Sequence, residues 1–335
     1  MKPPSSKSRS PGTRSPGRRL AWTSALTLLA LGGAELALRP FVAPWSLTTV
    51  FRFDEGRTPC YGLEPGSHAT YEGWFTPVRP THLAINSRGY RDREYPPVPA
   101  AGTLRIALLG DSHAFGLGTE LEEGLSRRLE ADLAARLHRP VEVVNAGVPG
   151  YDLPKEVARA AAVVDDYAPE LLLFLVGDLD LEDRPCSYWK AGLWPLLSRS
   201  RLAVTVFVNL VVRRQQLQEM PDAARHALVM AEVAKLARLA AGHAGGGPMR
   251  VAFVQTSPFL PASPEHDAAL LAAVAAAGVQ VVPLLEPWQE VFTHQERYVV
   301  VGEGHPNAAG MALLAPALGA ALVASGVVRS PGTSS

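Results

Sequence analysis

The chain has 335 residues with 32 basic and 32 acidic side chains, so its formal net charge is zero. This balance argues against a nucleic-acid-binding protein, which normally carries a basic excess. A hydrophobic fraction of 47% and a charged fraction of 19% are those of a globular protein, and the length suits one large domain with additions.

The N-terminal segment differs in composition from the rest of the chain. Residues 1–19 hold six basic residues and no acidic one, and with their many Pro, Ser and Gly residues they are predicted to form a disordered tail. Residues 20–38 form an apolar run, interrupted by Glu35, that is long enough for a membrane-spanning signal anchor. The preceding basic residues favour a cytoplasmic tail and export of the following domain to a periplasmic or extracellular location. The alternatives are secretion after signal-peptide cleavage near Ala34 and a buried helix of a soluble domain.

Residues 40–102 are rich in Pro, Gly and aromatic side chains and are predicted to form an N-terminal extension and linker. Within them, residues 82–92 have the pattern of a short strand followed by a turn. The two cysteines, Cys60 and Cys186, either pair in an oxidising compartment or remain thiols. Neither has metal-ligand spacing to another Cys or His, and no metal or cofactor is expected.

Apolar strands alternate with helices over residues 103–326. The first strand, Leu104–Leu109, is apolar apart from Arg105, which is typical of a strand covered on both faces. Further strands are predicted at Val141–Val144, Leu171–Val176, Arg250–Val254 and Val279–Val282, and helices at Glu122–Leu137, Pro154–Tyr167 and Asn307–Ser325. The alternation predicts an α/β fold, a three-layer α/β/α sandwich around a mainly parallel five-stranded sheet of flavodoxin-like type. Residues 327–335 are predicted to be a disordered tail.

A long insertion, at about residues 181–247, separates the third strand from the fourth. A connection of this length indicates its own structure or a lid-like function. It contains Trp189 and Trp194, which either wall a pocket for an acyl or sugar group or pack within the insertion. The apolar stretch Leu202–Val212 is predicted to be a buried helix, and Ala223–Ala241 an Ala-rich helix.

Four short blocks fall at the ends of these elements. Gly110-Asp111-Ser112 follows the first strand and places Ser112 at a helix start, where backbone N–H groups favour a developing anion. The blocks Asn145–Gly150, Gly177–Asp180 and Glu303–Asn307 follow the second strand, follow the third strand and precede the last helix. These ends share the edge of the sheet where ligands bind. A Gly-Asp-Ser triplet alone also fits an ordinary turn.

The order of the four blocks resembles that of the SGNH/GDSL hydrolases, over about residues 104–323. Residues 85–92, placed before such a domain, are similar to membrane-anchored bacterial members. The resemblance implies that Ser112 is the nucleophile, that His305 is the general base and that Glu303 orients the imidazole. It also implies that the backbone N–H groups of Ser112 and Gly147 are donors of the oxyanion hole.

The chain departs from the family pattern at two positions, and the role of a third residue, His113, has two interpretations. The family places Asn in the third block, where this chain has Asp178 and Asp180, and an ionised carboxylate has no proton to donate to an oxyanion. Residue 302 is Gly, so Glu303 has to serve as the acid of the triad. His113, beside the nucleophile, either lines the pocket or is a partly buried residue of the helix start.

The resemblance implies a serine hydrolase, an esterase or deacetylase that acts through an acyl-enzyme. Its expected partners are the inner membrane, through residues 20–38, and an O-acyl ester of a cell-envelope glycan or lipid. One alternative is an O-acyltransferase that uses the same Ser-His pair. Another is a catalytically degenerate binding protein of the cell envelope, which the missing Asn favours.

Overall fold

The computed structural model describes residues 16–42, 46–52, 61–73, 77–177, 180–181, 199–207, 220–242, 249–260 and 263–329. The predictions that concern Cys60, Cys186, Asp178, Trp189 and Trp194 lie outside these residues.

The elements of the described residues follow in chain order. The strands are β1 (Phe51–Arg52), β2 (Gly62–Leu63), β3 (His68–Tyr71), β4 (Thr81–Ala84), β5 (Leu104–Leu109), β6 (Val141–Asn145), β7 (Leu171–Val176), β8 (Arg250–Gln255) and β9 (Gln280–Pro283). The helices are α1 (Pro16–Leu38), α2 (Ser112–Phe115), α3 (Leu125–Leu137), α4 (Leu153–Tyr167), α5 (Arg201–Phe207), α6 (Asp222–Gly242), α7 (Pro264–Ala276), α8 (Leu285–Thr293), α9 (Gln295–Tyr298) and α10 (Ala308–Ala324).

A five-stranded parallel sheet forms the centre of the domain, in the order β6-β5-β7-β8-β9. Every residue of β5 is buried, because its side chains alternate between two apolar layers. Ile106 and Leu108 pack on the side of α3, α8 and α10, whereas Ala107 and Leu109 pack on the side of α4, α6 and α7. The predicted α/β/α sandwich with a parallel five-stranded sheet is therefore confirmed.

Most differences from the predicted elements lie at their ends. The predicted helix Glu122–Leu137 begins only at Leu125, because a short 3-10 turn, Leu121–Glu123, precedes it. Helices α7, α8 and α9 were not predicted at all. Val327 and Val328 are buried against the core, so the domain continues past the start of the predicted tail 327–335.

The insertion divides into parts with different surroundings. Val229, Val233 and Leu236 of α6 are fully buried in the layer beside α4, so this helix covers the sheet. The predicted buried helix Leu202–Val212 is described as α5 up to residue 207. Val204 is buried there, whereas Val206 is 47% exposed, so only one face of α5 packs inward.

The N-terminal extension packs against the loops that follow β5 and β6. It contributes two antiparallel hairpins, β1–β2 and β3–β4, whose apolar residues form a third cluster. Phe115 and Leu117 from the first loop, and Val148 and Tyr151 from the second, belong to the same cluster. The extension therefore supports the edge of the sheet at which the predicted site lies.

Helix α1 contains the segment Leu20–Leu38, whose length and mean hydropathy of 1.4 allow it to cross a membrane. Its position near the N-terminus fits a signal anchor or a signal peptide.

Candidate active site

Ser112 is the first residue of α2, directly after the carboxyl end of β5. Asp111 caps this helix, because its Oδ1 accepts the backbone N–H of His113 at 2.8 Å. Gly110 has a φ of +152°, and a Cβ on it would lie 2.7 Å from that of Ala114. The sharp turn therefore requires glycine and delivers Ser112 to the N-terminal end of the helix.

His305 contacts Ser112, although the two residues are far apart in the sequence. Its Nε2 lies 2.9 Å from Ser112 Oγ, which is hydrogen-bond distance for a nucleophile and its base. Its Nδ1 is buried and has no hydrogen-bond partner. Burial, followed by the positive charge of His113, lowers the pKa of His305 to about 3, against an opposing effect of Asp111. The imidazole is therefore neutral, as a general base requires.

Glu303 bonds to Tyr71 and not to the imidazole of His305, its expected partner. Its Oε2 accepts the hydroxyl of Tyr71 at 2.7 Å, which joins the loop before α10 to strand β3 of the extension. The structure thus brings Ser112 and His305 together, while Glu303 makes no hydrogen bond to the Nδ1 of His305. The arrangement at Ser112 is therefore a Ser-His pair, which is called the dyad below.

His113 and Asp111 form a charged pair beside this dyad. Its Nδ1 lies 3.0 Å from Asp111 Oδ1, and its Nε2 lies 3.4 Å from the carbonyl oxygen of Gly304. Burial opposes protonation, but the charge and hydrogen bond of Asp111 raise the pKa of His113 to about 9. The side chain is therefore an imidazolium at neutral pH, and its ring centroid is 5.5 Å from that of His305.

Gly147 of the second block, Asn145–Gly150, packs closely against helix α2. A Cβ on Gly147 would overlap the backbone nitrogen of Phe115 in α2, so a larger residue would displace the helix that carries Ser112. The Gly147 N–H donates to the side chain of Asn145 at 3.1 Å. Asn145 in turn donates to the carbonyl of Phe115 at 3.2 Å. Gly147, the predicted oxyanion donor, thus packs against the helix that carries Ser112, and its N–H is bonded to Asn145.

The third block contains a carboxylate that is held by the backbone. Asp180 Oδ2 accepts the N–H of Gly177 at 2.7 Å, so this carboxylate braces the turn after β7. Glu156, in the first turn of α4, is buried, and neither of its carboxylate oxygens has a hydrogen-bond partner. Burial, and then the charges of Asp180, Asp111 and Asp152, raise the pKa of Glu156 well above its ordinary value. These surroundings therefore favour the neutral form of Glu156.

Sequence reasoning missed two residues of the extension that hold the site loops. The buried guanidinium of Arg91 donates to the carbonyl oxygens of Phe115 (2.8 Å) and Gly116 (2.6 Å) at the end of α2. Asp92 Oδ2 accepts the backbone N–H of Asn145 at 2.7 Å. Both lie in residues 85–92, the segment whose resemblance to membrane-anchored proteins was the available signal.

A comparison with protein families identifies the family of the chain. The model described as the GDSL-like lipase/acylhydrolase family matches residues 108–313, which include both the turn that carries Ser112 and the loop that carries His305. The chain belongs to this family. No curated protein matches the chain.

Solved structures that are similar to this chain match it at low identity. LAE5, an alpha/beta hydrolase enzyme from the metagenome of Lake Arreo, Spain, is 20% identical and has a TM-score of 0.42 over 68% of this chain and 97% of its own. TesA is 20% identical, with a TM-score of 0.44 over 66% and 99%. A two-domain esterase (CEX) active on acetylated mannans is 16% identical, with a TM-score of 0.41 over 69% and 52%.

No group of three or more His, Cys, Asp or Glu residues in the described part of the GDSL-like hydrolase is arranged to hold a metal ion. The side chains gathered at the site are a serine, two histidines and carboxylates. This set suits acyl transfer through a serine.

Proposed function

We propose that this GDSL-like hydrolase is a serine esterase or deacetylase that acts through an acyl-enzyme, with Ser112 as nucleophile and His305 as base. The observation that carries the proposal is the 2.9 Å separation of His305 Nε2 and Ser112 Oγ at the start of a helix. A neutral imidazole at this distance accepts the hydroxyl proton as the oxygen attacks.

The reaction has two halves. Ser112 Oγ bonds to the ester carbonyl carbon while His305 takes the proton, and the alcohol then leaves with that proton, which gives the acyl-enzyme. Water attacks the acyl group in the second half, again through His305, and frees Ser112. The N–H groups of Ser112 and Gly147 stabilise the oxyanion, and for Gly147 this requires its bond to Asn145 to be replaced by one to the substrate.

The surrounding residues act through this dyad. Glu303 positions the loop that carries His305 by its bond to Tyr71, and the charge of His113 holds the pKa of His305 low. Asp180 braces the third block, so it does not supply the donor that Asn would give. One missing donor costs a factor of about 10² to 10³ in well-studied hydrolases, so we expect modest turnover.

The substrate we propose is an O-acyl ester of a cell-envelope glycan or lipid. Helix α1, as a signal anchor in the inner membrane, would leave the catalytic domain exported and facing the cell envelope. If α1 is instead a signal peptide cleaved near Ala34, the domain is secreted.

Hydrolysis of p-nitrophenyl acetate by the purified full chain tests the proposal. We expect measurable release of p-nitrophenol that falls to background in Ser112→Ala and in His305→Ala. Exposed Glu122→Ala is the control and should retain the wild-type rate. Acetyl transfer to a glycan that outpaces hydrolysis would assign the chain to the acyltransferases. A rate equal in wild type and Ser112→Ala would contradict the proposal and favour a binding protein.

A further inference from the structure

Glu35 is the acidic residue within the apolar span of α1, and its carboxylate binds the start of α5. Its Oε1 accepts the backbone N–H of Arg201 at 3.1 Å, and its Oε2 accepts that of Leu202 at 3.0 Å. The hydroxyl of Ser200 donates to the same Oε2 at 2.9 Å. The first N–H groups of a helix have no partner within it, and the helix dipole favours an anion there. Glu35 therefore caps α5 from a different part of the chain.

The contact lies at one end of the apolar span. Residues 20–33 are exposed, whereas Ala34, Glu35 and Leu38 are half-buried, and a spacing of three or four residues marks one face of a helix. At 1.5 Å per residue, Glu35 is about 4.5 Å from the end of the span at Leu38. In a membrane, α5 would thus meet the anchor at the boundary of the hydrocarbon layer.

The docked end of α1 is connected to the active site by packing. Val204 of α5 is fully buried in the third apolar cluster, and Val42 packs against the same cluster. Phe115, three residues after the nucleophile, and Val148, next to Gly147, are also members. A single apolar cluster thus links the membrane end of α1 to both loops that carry the reaction.

We propose that Glu35 docks α1, as a retained anchor, onto α5, so that the serine site is held at the membrane surface and cleaves an ester carried by a membrane-resident molecule. The substrate class rests on the proposed function, whereas the docking does not. An ester confined to the same membrane reaches a fixed site at high effective concentration, an advantage that a freely diffusing ester lacks.

Amide hydrogen exchange of the full chain in phospholipid vesicles tests the docking without any activity. In Glu35→Ala the amides of Arg201 and Leu202 lose their acceptor, and we expect them to exchange at least about tenfold faster than in wild type. Glu35→Gln, with one acceptor oxygen, should give an intermediate rate. Leu36→Ala, an exposed neighbour, should change nothing. Equal exchange in wild type and Glu35→Ala, or a purified chain that lacks residues 1–34, would overturn the docking.

The substrate class is tested in the same vesicles with two esters, soluble p-nitrophenyl acetate and an acetylated diacylglycerol embedded in the bilayer. We expect Glu35→Ala to hydrolyse the embedded ester at least about fivefold more slowly, since α1 still tethers the domain but no longer holds the site at a fixed position on the membrane, and the soluble ester at the wild-type rate. Equal effects on both esters, or none on either, would overturn the substrate class. If wild type hydrolyses neither, the proposed function fails, while the exchange rates still decide the docking.

Discussion

Replacing His113 should change the pH dependence of catalysis in a direction that the geometry fixes. With the ring centroids of His113 and His305 5.5 Å apart and an effective dielectric constant of about 20, the repulsion between two imidazolium ions is about 3 kcal/mol, or about two pKa units. In His113→Gln this repulsion disappears, whereas Asp111 remains. The pKa of His305 should therefore rise from about 3 to about 5.

The assay is kcat/KM for p-nitrophenyl acetate as a function of pH, because this ratio reports the free enzyme. Wild type should lose activity only near pH 3 and show a second inflection near pH 9, where His113 loses its proton. His113→Gln should lose activity near pH 5 and lack the inflection at pH 9. His82→Gln, an exposed histidine 3.2 Å from Glu120, should behave as wild type. An unchanged acid limb in His113→Gln would refute the electrostatic coupling.

Three further predictions concern the supporting residues. Gly147→Ala should lower kcat/KM by at least about a hundredfold, as when an oxyanion donor is lost, and should also lower the melting temperature, because the new Cβ overlaps helix α2. The control Gly242→Ala, with open space around its Cβ, should change neither quantity, and equal effects of the two substitutions would contradict the packing argument. In Glu156→Gln the unfolding free energy should match that of wild type near pH 4 and exceed it increasingly as pH rises, because the raised folded-state pKa of Glu156 makes wild type less stable as pH rises above the unfolded-state pKa. Denaturant titrations in which the two proteins have parallel pH profiles would show that Glu156 is ionised in the folded protein. Tyr71→Phe and Glu303→Ala should reduce kcat/KM by the same factor, singly or together, if their shared bond positions the loop. A greater loss for Glu303→Ala alone would show that Glu303 serves His305 directly.

The sequence predicted the central sheet well because its strands are uninterrupted apolar runs, and such runs arise when both faces are covered. Helix α7 was missed for the opposite reason. Its sequence is dominated by small and apolar residues, with only Leu270 and Val274 as fully buried large side chains, so it has little amphipathic contrast. The structure of the insertion could be predicted only in part, because the face of α5 that packs inward is determined by its contacts with α1 and the extension.

The site could be predicted as far as the order of its blocks allowed. Ser112 and His305 follow from motifs at strand and helix ends, and those ends meet at one edge of the sheet. The directions of side chains in loops do not follow from order. The pairs Tyr71–Glu303 and Asp111–His113, and the contact of Arg91 with α2, depend on how the extension and the histidine loop pack together.

Labelling of the full chain with a fluorophosphonate tests the central claim most directly, since the probe reacts only with an activated serine. We expect covalent labelling of wild type at Ser112, no labelling of Ser112→Ala, and a large loss in His305→Ala, where the serine lacks its base. Absence of labelling in wild type under conditions that modify a known serine esterase, or labelling that persists in Ser112→Ala, would contradict it.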